Sequence, residues 1–304
     1  MSSKINIVEP QVIPLDYLEP VKKIEYAYRT CYQSRHHMTD NSHKLITRLL
    51  YPENGGTPHS SPLEHVTVSM QVNVAAAGDF IKEWQAKHDN YHMTIEDADY
   101  WSVTLSGNLR AFFDFWRDYD PSRPGPITFV MFATNEAVCK HFDVFNPLPE
   151  ITANRNYFFE GDHTEDFKVV KDTSSFNIIT TRDILQELVR HRKASFSVES
   201  TRYCNYKTKG FTFVRPRPYD WCDTNNYQYK LWYQSCQDAC DTYLEMLEQG
   251  ARPEEARMIL PGGLKTELVM TADKKYWEYF LKLRDHETAH PQIRLIAKEI
   301  GRYV

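Results

Sequence analysis

The stretch SSFNIITTRDILQELVRHR, residues 174–192, changes its hydrophobic rhythm without a break. A short strand pattern gives way directly to a helical one, so a strand must hand over to a helix with no loop between them. Thr180 and Asp183 carry the spacing of a capping box that opens a helix. Ile184, Leu185 and Leu188 then supply the face to be buried.

Other elements follow from the same rule. Trp232, Cys236, Ala239, Cys240, Tyr243 and Leu247 form an apolar stripe over 232–249 that ends at Gly250. Another helix runs from Asp273 through Tyr276, Trp277, Phe280 and Leu281. The last starts at Pro291, which suits a first helical turn, with Ile293, Ile296, Ala297 and Ile300 on one face. Upstream, LEPVKKIEYAYRTCY and SHKLITRLL read as helices, YPENGGTPHSSP as turns and HVTVSMQVNV as a strand. Residues 78–175, with WRDYDPSRPGP and FNPLPEITANRNYF, suggest an irregular insertion of short helices and loops.

A chain of 304 residues can form one large domain or two, and at 41% hydrophobic, 25% charged and a net charge of −5 it has an ordinary globular composition. No apolar run approaches the roughly 18 residues of a membrane span, and MSSKINIVEP lacks a signal-peptide core, so a cytoplasmic protein is expected. The six cysteines contain no C-x-x-C and are expected as free thiols, with Cys236 and Cys240 packed in a core.

His286-Glu287-Thr288-Ala289-His290 matches the H-E-x-x-H pattern of zinc peptidases, which requires both histidines on one helical face. Pro291 disfavours the α conformation at His290, so the two histidines are expected to straddle a helix boundary as loop or cap residues, and no metal is expected.

Charge is concentrated elsewhere. Between Arg190 and Arg217 lie eight Lys or Arg and one acid, Glu199. A helix carboxyl end favours nearby cations and accounts for Arg190 to Lys193, but not for Arg202 beyond KASFSVES. Arginines alternating with Ser195, Ser197, Ser200 and Thr201 have the chemistry of a phosphate-ester site. Tyr203, Tyr206, Phe211 and Phe213 interleave with the cations, so single-stranded nucleic acid is a rival ligand. The overall negative charge and the lack of RRM, KH or zinc-finger signatures weigh against it.

Arg190-His191-Arg192, seven residues, then Ser200 is the R-H-R-x7-S signature that resembles flavin-dependent thymidylate synthases, the ThyX family. PHSSPLEH at 58–65, ESTRYCNY at 199–206 and ARMILPGGLKTELVMTADKKYWEYFLKLR at 256–284 also resemble that family's blocks, in order. The likeness spans about residues 15–75 and 175–304. It implies an α/β (α+β) fold, a mixed sheet with flanking helices distinct from the Rossmann architecture. It further implies a single catalytic domain over 1–304 with a family-variable insertion at about 78–175.

The implied reaction converts dUMP to dTMP, with carbon from methylenetetrahydrofolate and reducing equivalents from NADPH through FAD, in a homotetramer with shared active sites. The implied dUMP residues are Glu187, Arg190, Ser200, Thr201, Arg202, Arg257 and Arg284. Arg284 is the implied catalytic group, a fixed cation that meets negative charge developing on the uracil ring. The implied FAD residues are Ser61, Arg190, His191, Arg192, Glu199, Asp273 and Tyr279. No nucleophilic cysteine is required, because flavin chemistry replaces covalent attack on the pyrimidine. Val198 departs from the Glu or Gln of many members, with Glu199 beside it, and Asp273 and Tyr279 replace frequent Asn or His. Neither a nucleic acid nor a membrane is an expected partner.

Overall fold

The computed structural model describes residues 5–50, 59–73, 93–98, 102–117, 137–143, 164–170, 172–217 and 224–304. The chain divides into two compact units. One comprises Met1–Tyr17, Tyr26–His37 and Ser174–Val304, the other Leu18–Glu25 and Met38–Thr173. Among the described residues no helix is long and apolar enough to cross a membrane.

In the first unit β1 (Ile5–Val8) pairs in parallel with β9 (Phe211–Val214). A separate four-stranded sheet has the order β2 (Gln11–Pro14), β7 (Thr173–Thr181), β10 (Lys265–Asp273), β8 (Ser195–Val198). Its β2–β7 and β8–β10 pairs are antiparallel, so the fold combines both pairing modes with helices, the mixed α/β class.

Period-two alternation explains the core of this sheet. Phe176 and Ile178 of β7 and Leu268, Met270 and Ala272 of β10 are buried on one face. Against them pack Ile184 and Leu188 of α4 (Arg182–Leu188), Trp277 and Phe280 of α8 (Lys274–Arg284), and Ile293, Ile296, Ala297 and Ile300 of α9 (Pro291–Ile300). Each large apolar side chain buried in this way contributes about 1.5–3 kcal/mol. Other residues of the same strands carry polar partners: Thr271 Oγ1 donates to Ser175 Oγ at 2.8 Å, and Asn177 Nδ2 donates to Glu267 Oε1 at 2.8 Å.

The handover from β7 to α4 is direct, as its rhythm requires, but the cap is Thr181 rather than Thr180. Strand pairing carries β7 through Thr181, whose Oγ1 accepts from the Ile184 N–H at 3.3 Å. Thr180 is buried instead and accepts from Gln292 Nε2 at 3.1 Å, tying β7 to α9. The helix over 232–249 is α6 (Tyr227–Glu248), and Cys236, Cys240 and Tyr243 are buried against Phe211 and Phe213 as core residues. Past its end Gly250 takes φ +95°, where any side chain would be strained.

The second unit corrects the reading of the middle of the chain. A four-stranded antiparallel sheet has the order β4 (Met93–Ala98), β5 (Ser102–Asn108), β3 (Thr67–Asn73), β6 (Thr164–Val169); β3 is the strand read in HVTVSMQVNV, whereas β4, β5 and β6 stand where short helices and loops were expected. Val68, Met70, Val72, Val103 and Leu105 are buried, as are Phe112, Phe115 and Trp116 of α3 (Leu109–Arg117). Glycine, serine and acidic residues lower the strand propensity of β4 and β5, and pairing overrides that preference: β5 pairs with the distant β3, and β4 pairs with β5 beside it in the chain. The stretches DYDPSRPGP and FNPLPEITANRNYF, and the turn-rich 51–58, lie outside the described residues.

Candidate functional site

Arg284 is the last residue of α8, and its side chain meets residues roughly a hundred positions earlier. Its Nε–H donates to His191 Nε2 at 2.9 Å, Nη1 donates to Glu187 Oε2 at 2.9 Å, and Nη2 donates to the Glu187 carbonyl at 3.2 Å. Glu187 lies in the last turn of α4, and His191 lies in the turn beyond it, held by its N–H on the Leu188 carbonyl at 3.0 Å. Three residues nominated from two distant blocks are therefore one hydrogen-bonded cluster.

A guanidinium can only donate, so His191 Nε2 must accept and the imidazole is neutral with its proton on Nδ1. That proton points to Tyr276 Oη at 3.2 Å. Burial, and then the neighbouring charges of Arg284 and Arg190, push His191 down to about 4, so the ring stays neutral at ordinary pH. The Phe280 ring stands edge-on to the imidazole at 4.8 Å and shields it.

A second grouping joins Thr201, Arg257 and their neighbours. Arg257 Nη1, in the short turn Arg257–Ile259, donates to Thr201 Oγ1 at 2.7 Å. Ser200 Oγ accepts from the Arg202 N–H at 3.3 Å, and the Arg202 guanidinium lies 5.6 Å from the centre of the Tyr203 ring. Forked cations and hydroxyls thus occur together, the donor set an anionic ester needs.

The remaining nominated residues are placed as follows. Arg190 and Arg192 are exposed. Asp273 caps α8 and accepts from the Tyr276 N–H at 2.6 Å, while Tyr279 is exposed and 5.7 Å from the Tyr276 ring centre. Ser61 belongs to the second unit, with its Oγ 3.2 Å from His59 Nε2.

Glu199 is committed to a buried charge network. It accepts from Lys265 Nζ at 2.6 Å and from Tyr206 Oη at 3.4 Å. Lys265 also reaches Glu267 Oε2 at 3.3 Å, and Arg35 Nη2 stands 2.6 Å from Glu267 Oε1. Together with Lys209 these residues line a cleft of about 380 Å³. Lys265, Glu267, Arg35 and Tyr276 were not foreseen as participants. Lys265 and Glu267 stand two apart in KTELVMTAD, hence on one face of a buried strand, which was the available signal.

Two alternatives lose their physical basis. Residues 285–290 form the connection between α8 and α9, and His290 caps α9 by accepting from the Gln292 N–H at 3.2 Å, so the H-E-x-x-H histidines share no helical face. Of the four aromatics that could stack on nucleic acid, Tyr206, Phe211 and Phe213 are buried and Tyr203 is exposed.

The sequence of residues 152–304 matches the family model described as "Thymidylate synthase complementing protein". The chain belongs to that family. Among its relatives, a flavin-dependent thymidylate synthase from Geobacter sulfurreducens is 32% identical over 124 residues, covering 41% of this chain and 52% of the relative. One of the same name from Thermococcus onnurineus is 34% identical over 113 residues, covering 36% of this chain and 45% of the relative. The chain spans about half the length of the relatives it matches. A crystal structure of a UMP/dUMP methylase PolB from Streptomyces cacaoi aligns with 43% of this chain and 67% of its own, at 24% identity and a TM-score of 0.38. The family match takes in the Glu187–His191–Arg284 cluster and the Ser200–Arg202 and Arg257 grouping, all within 152–304.

Proposed function

We propose that this member of the family is a flavin-dependent thymidylate synthase that methylates dUMP reductively to dTMP. The carbon donor is methylenetetrahydrofolate, and the reductant is NADPH acting through FAD. The observation that carries the reading is the cluster itself: Arg284 fixed by Glu187 and His191, in a chain of this family. Among the described residues these bonds use the Nε–H and one N–H on each terminal nitrogen, leaving one N–H on each for a ligand oxygen. A guanidinium so fixed stabilises negative charge on the uracil oxygens without reorganising, which favours the transition state over the ground state.

Ser200, Thr201, Arg202 and Arg257 suit the nucleotide phosphate, with Arg190 as a further cation. The exposed guanidiniums of Arg190 and Arg192, beside a neutral His191, fit the diphosphate and ring of a flavin dinucleotide. When bound, FAD supplies the hydride for the pyrimidine. Ser61, Glu199, Asp273 and Tyr279 complete the proposed flavin set, Asp273 and Glu199 acting through the structure they hold. Met258 at 84% exposure and Tyr203 at 60% flank Arg257 and Arg202, so apolar surface beside these cations is open for a second copy to cover, in keeping with a homotetramer of shared sites. The chain is proposed to act in the cytoplasm, as one catalytic domain with a long insertion.

The purified protein should be yellow, should oxidise NADPH faster when dUMP is added, and should form dTMP from dUMP and methylenetetrahydrofolate. Absence of flavin after reconstitution with FAD, or absence of dTMP, would refute the assignment.

A further inference from the structure

We propose that Tyr276 is a positioning residue for Arg284, acting through the tautomer of His191. The inference rests on the reading of Arg284 as the group that meets the substrate. Arg284 Nε–H has one acceptor in the cluster, His191 Nε2 at 2.9 Å, and a histidine accepts there only when its proton sits on Nδ1. The partner of Nδ1 is Tyr276 Oη at 3.2 Å. An imidazole with no Nδ1 partner loses the bond that offsets burial of its Nδ1–H, so the form with the proton on Nε2, donor to donor with the Nε–H of Arg284, gains population. The guanidinium would then hang on Glu187 alone and turn about its Nη contacts.

The groups facing the imidazole agree. Arg284 and Tyr276 face it from α8, Glu187 bonds Arg284 from α4, and Arg190 lies in its own turn. None is a carboxylate in direct contact with the ring, so nothing favours the imidazolium; Arg284, which can only donate, calls for the Nδ1–H form, and Tyr276 Oη supplies the acceptor that keeps that form satisfied. The ring of Tyr276 is half-buried on α8 among the partly buried residues of the core, which fixes the hydroxyl in place. In the cluster, therefore, Arg284 supplies the charge and Tyr276 fixes the direction in which the charge is offered.

The test uses the full chain as purified, labelled with ¹⁵N in histidine and arginine. His191 should show a pyrrole-like Nδ1 and a pyridine-like Nε2, and the Arg284 Nε–H should be protected from solvent exchange. Tyr276→Phe removes only the hydroxyl. It should populate the Nε2–H form and speed exchange at Arg284 Nε by about tenfold, the scale of one net hydrogen bond. In the working enzyme the same variant should lower kcat while leaving KM for dUMP and flavin content unchanged. A wild-type His191 protonated on Nε2 overturns the proposal, and so does unchanged Arg284 exchange in the folded variant. The wild-type tautomer decides even where the variant does not fold. A chain that makes no dTMP but shows the expected tautomers removes the catalytic reading and leaves the positioning intact.

Discussion

Replacing Lys265 by methionine isolates the electrostatics of the first unit. The ammonium sits 2.6 Å from Glu199 and 3.3 Å from Glu267, with side chains 14%, 1% and 7% exposed. Burial alone would push Lys265 down, but Glu199 and Glu267 outweigh it and hold the ammonium above the ordinary lysine value. Methionine keeps the length and removes the charge. Arg35 still answers Glu267, whereas Glu199 loses its cation and keeps the hydroxyl of Tyr206 at 3.4 Å. Breaking a buried pair from one side costs about 3–5 kcal/mol.

Protonating a free glutamate carboxylate at pH 7 costs about 3.7 kcal/mol, which bounds the loss from leaving a buried carboxylate without its cation. The two routes agree, so the expected loss is about 3–4 kcal/mol near pH 7. Urea unfolding of both proteins at pH 7.5, followed by tryptophan fluorescence, measures the difference. Adding Glu199→Gln to Lys265→Met should restore most of the loss. A deficit below about 1 kcal/mol, or one that Glu199→Gln leaves unchanged, would refute the pairing.

Arg284→Ala should retain flavin and lose about 10²–10³ in turnover, the cost of one preorganised donor to developing charge; a wild-type kcat would remove Arg284 from the chemistry. His65, fully buried with Lys23 nearby, is pushed down to about 3, and His191 to about 4. Between about pH 6.5 and 4 the unfolded chain therefore binds protons that the folded chain refuses, and stability should fall with pH by up to about 1.4 kcal/mol per unit for each histidine. Denaturation across that window checks this, and His65→Gln should flatten the dependence. His286→Ala should stay within about 0.5 kcal/mol of wild type, and His290→Ala should cost about 1 kcal/mol because His290 caps α9, with turnover unchanged in both. Stoichiometric zinc in the purified protein would contradict the loop geometry of residues 285–290.

What could be read from the sequence follows how locally each feature is determined. The elements α6, α8 and α9 were legible because a one-sided apolar stripe fixes helix, face and end together, and Pro291 and Gly250 mark boundaries by backbone sterics. Thr180 and Thr181 offer the same hydroxyl one position apart, and only the pairing of β7 decides which of them ends the strand. In the second unit, β3 finds β5 and β6 across long stretches of chain, and no local pattern in SVTLSGN or TEDFKV announces that partner. Arg284 was legible through its place in a conspicuous block. Tyr276 was not, because in a helical stripe its ring reads as core and its hydroxyl is silent until His191 is brought to it.

The charge network shows how much farther the rules could have gone. Strand periodicity puts Lys265 and Glu267 on one face of β10. Glu199 follows β8 and donates its N–H to the Glu267 carbonyl at 2.8 Å, which sets two carboxylates side by side across the sheet. Like charges in that position destabilise a sheet, more so when both residues are almost wholly buried. The arrangement is tolerable only with cations inserted among them, and Lys265 and Arg35 are those cations. Once the β8–β10 register is known, Lys265 is as strictly required as any apolar residue of the core, which is why its loss should weigh on folding before it weighs on catalysis.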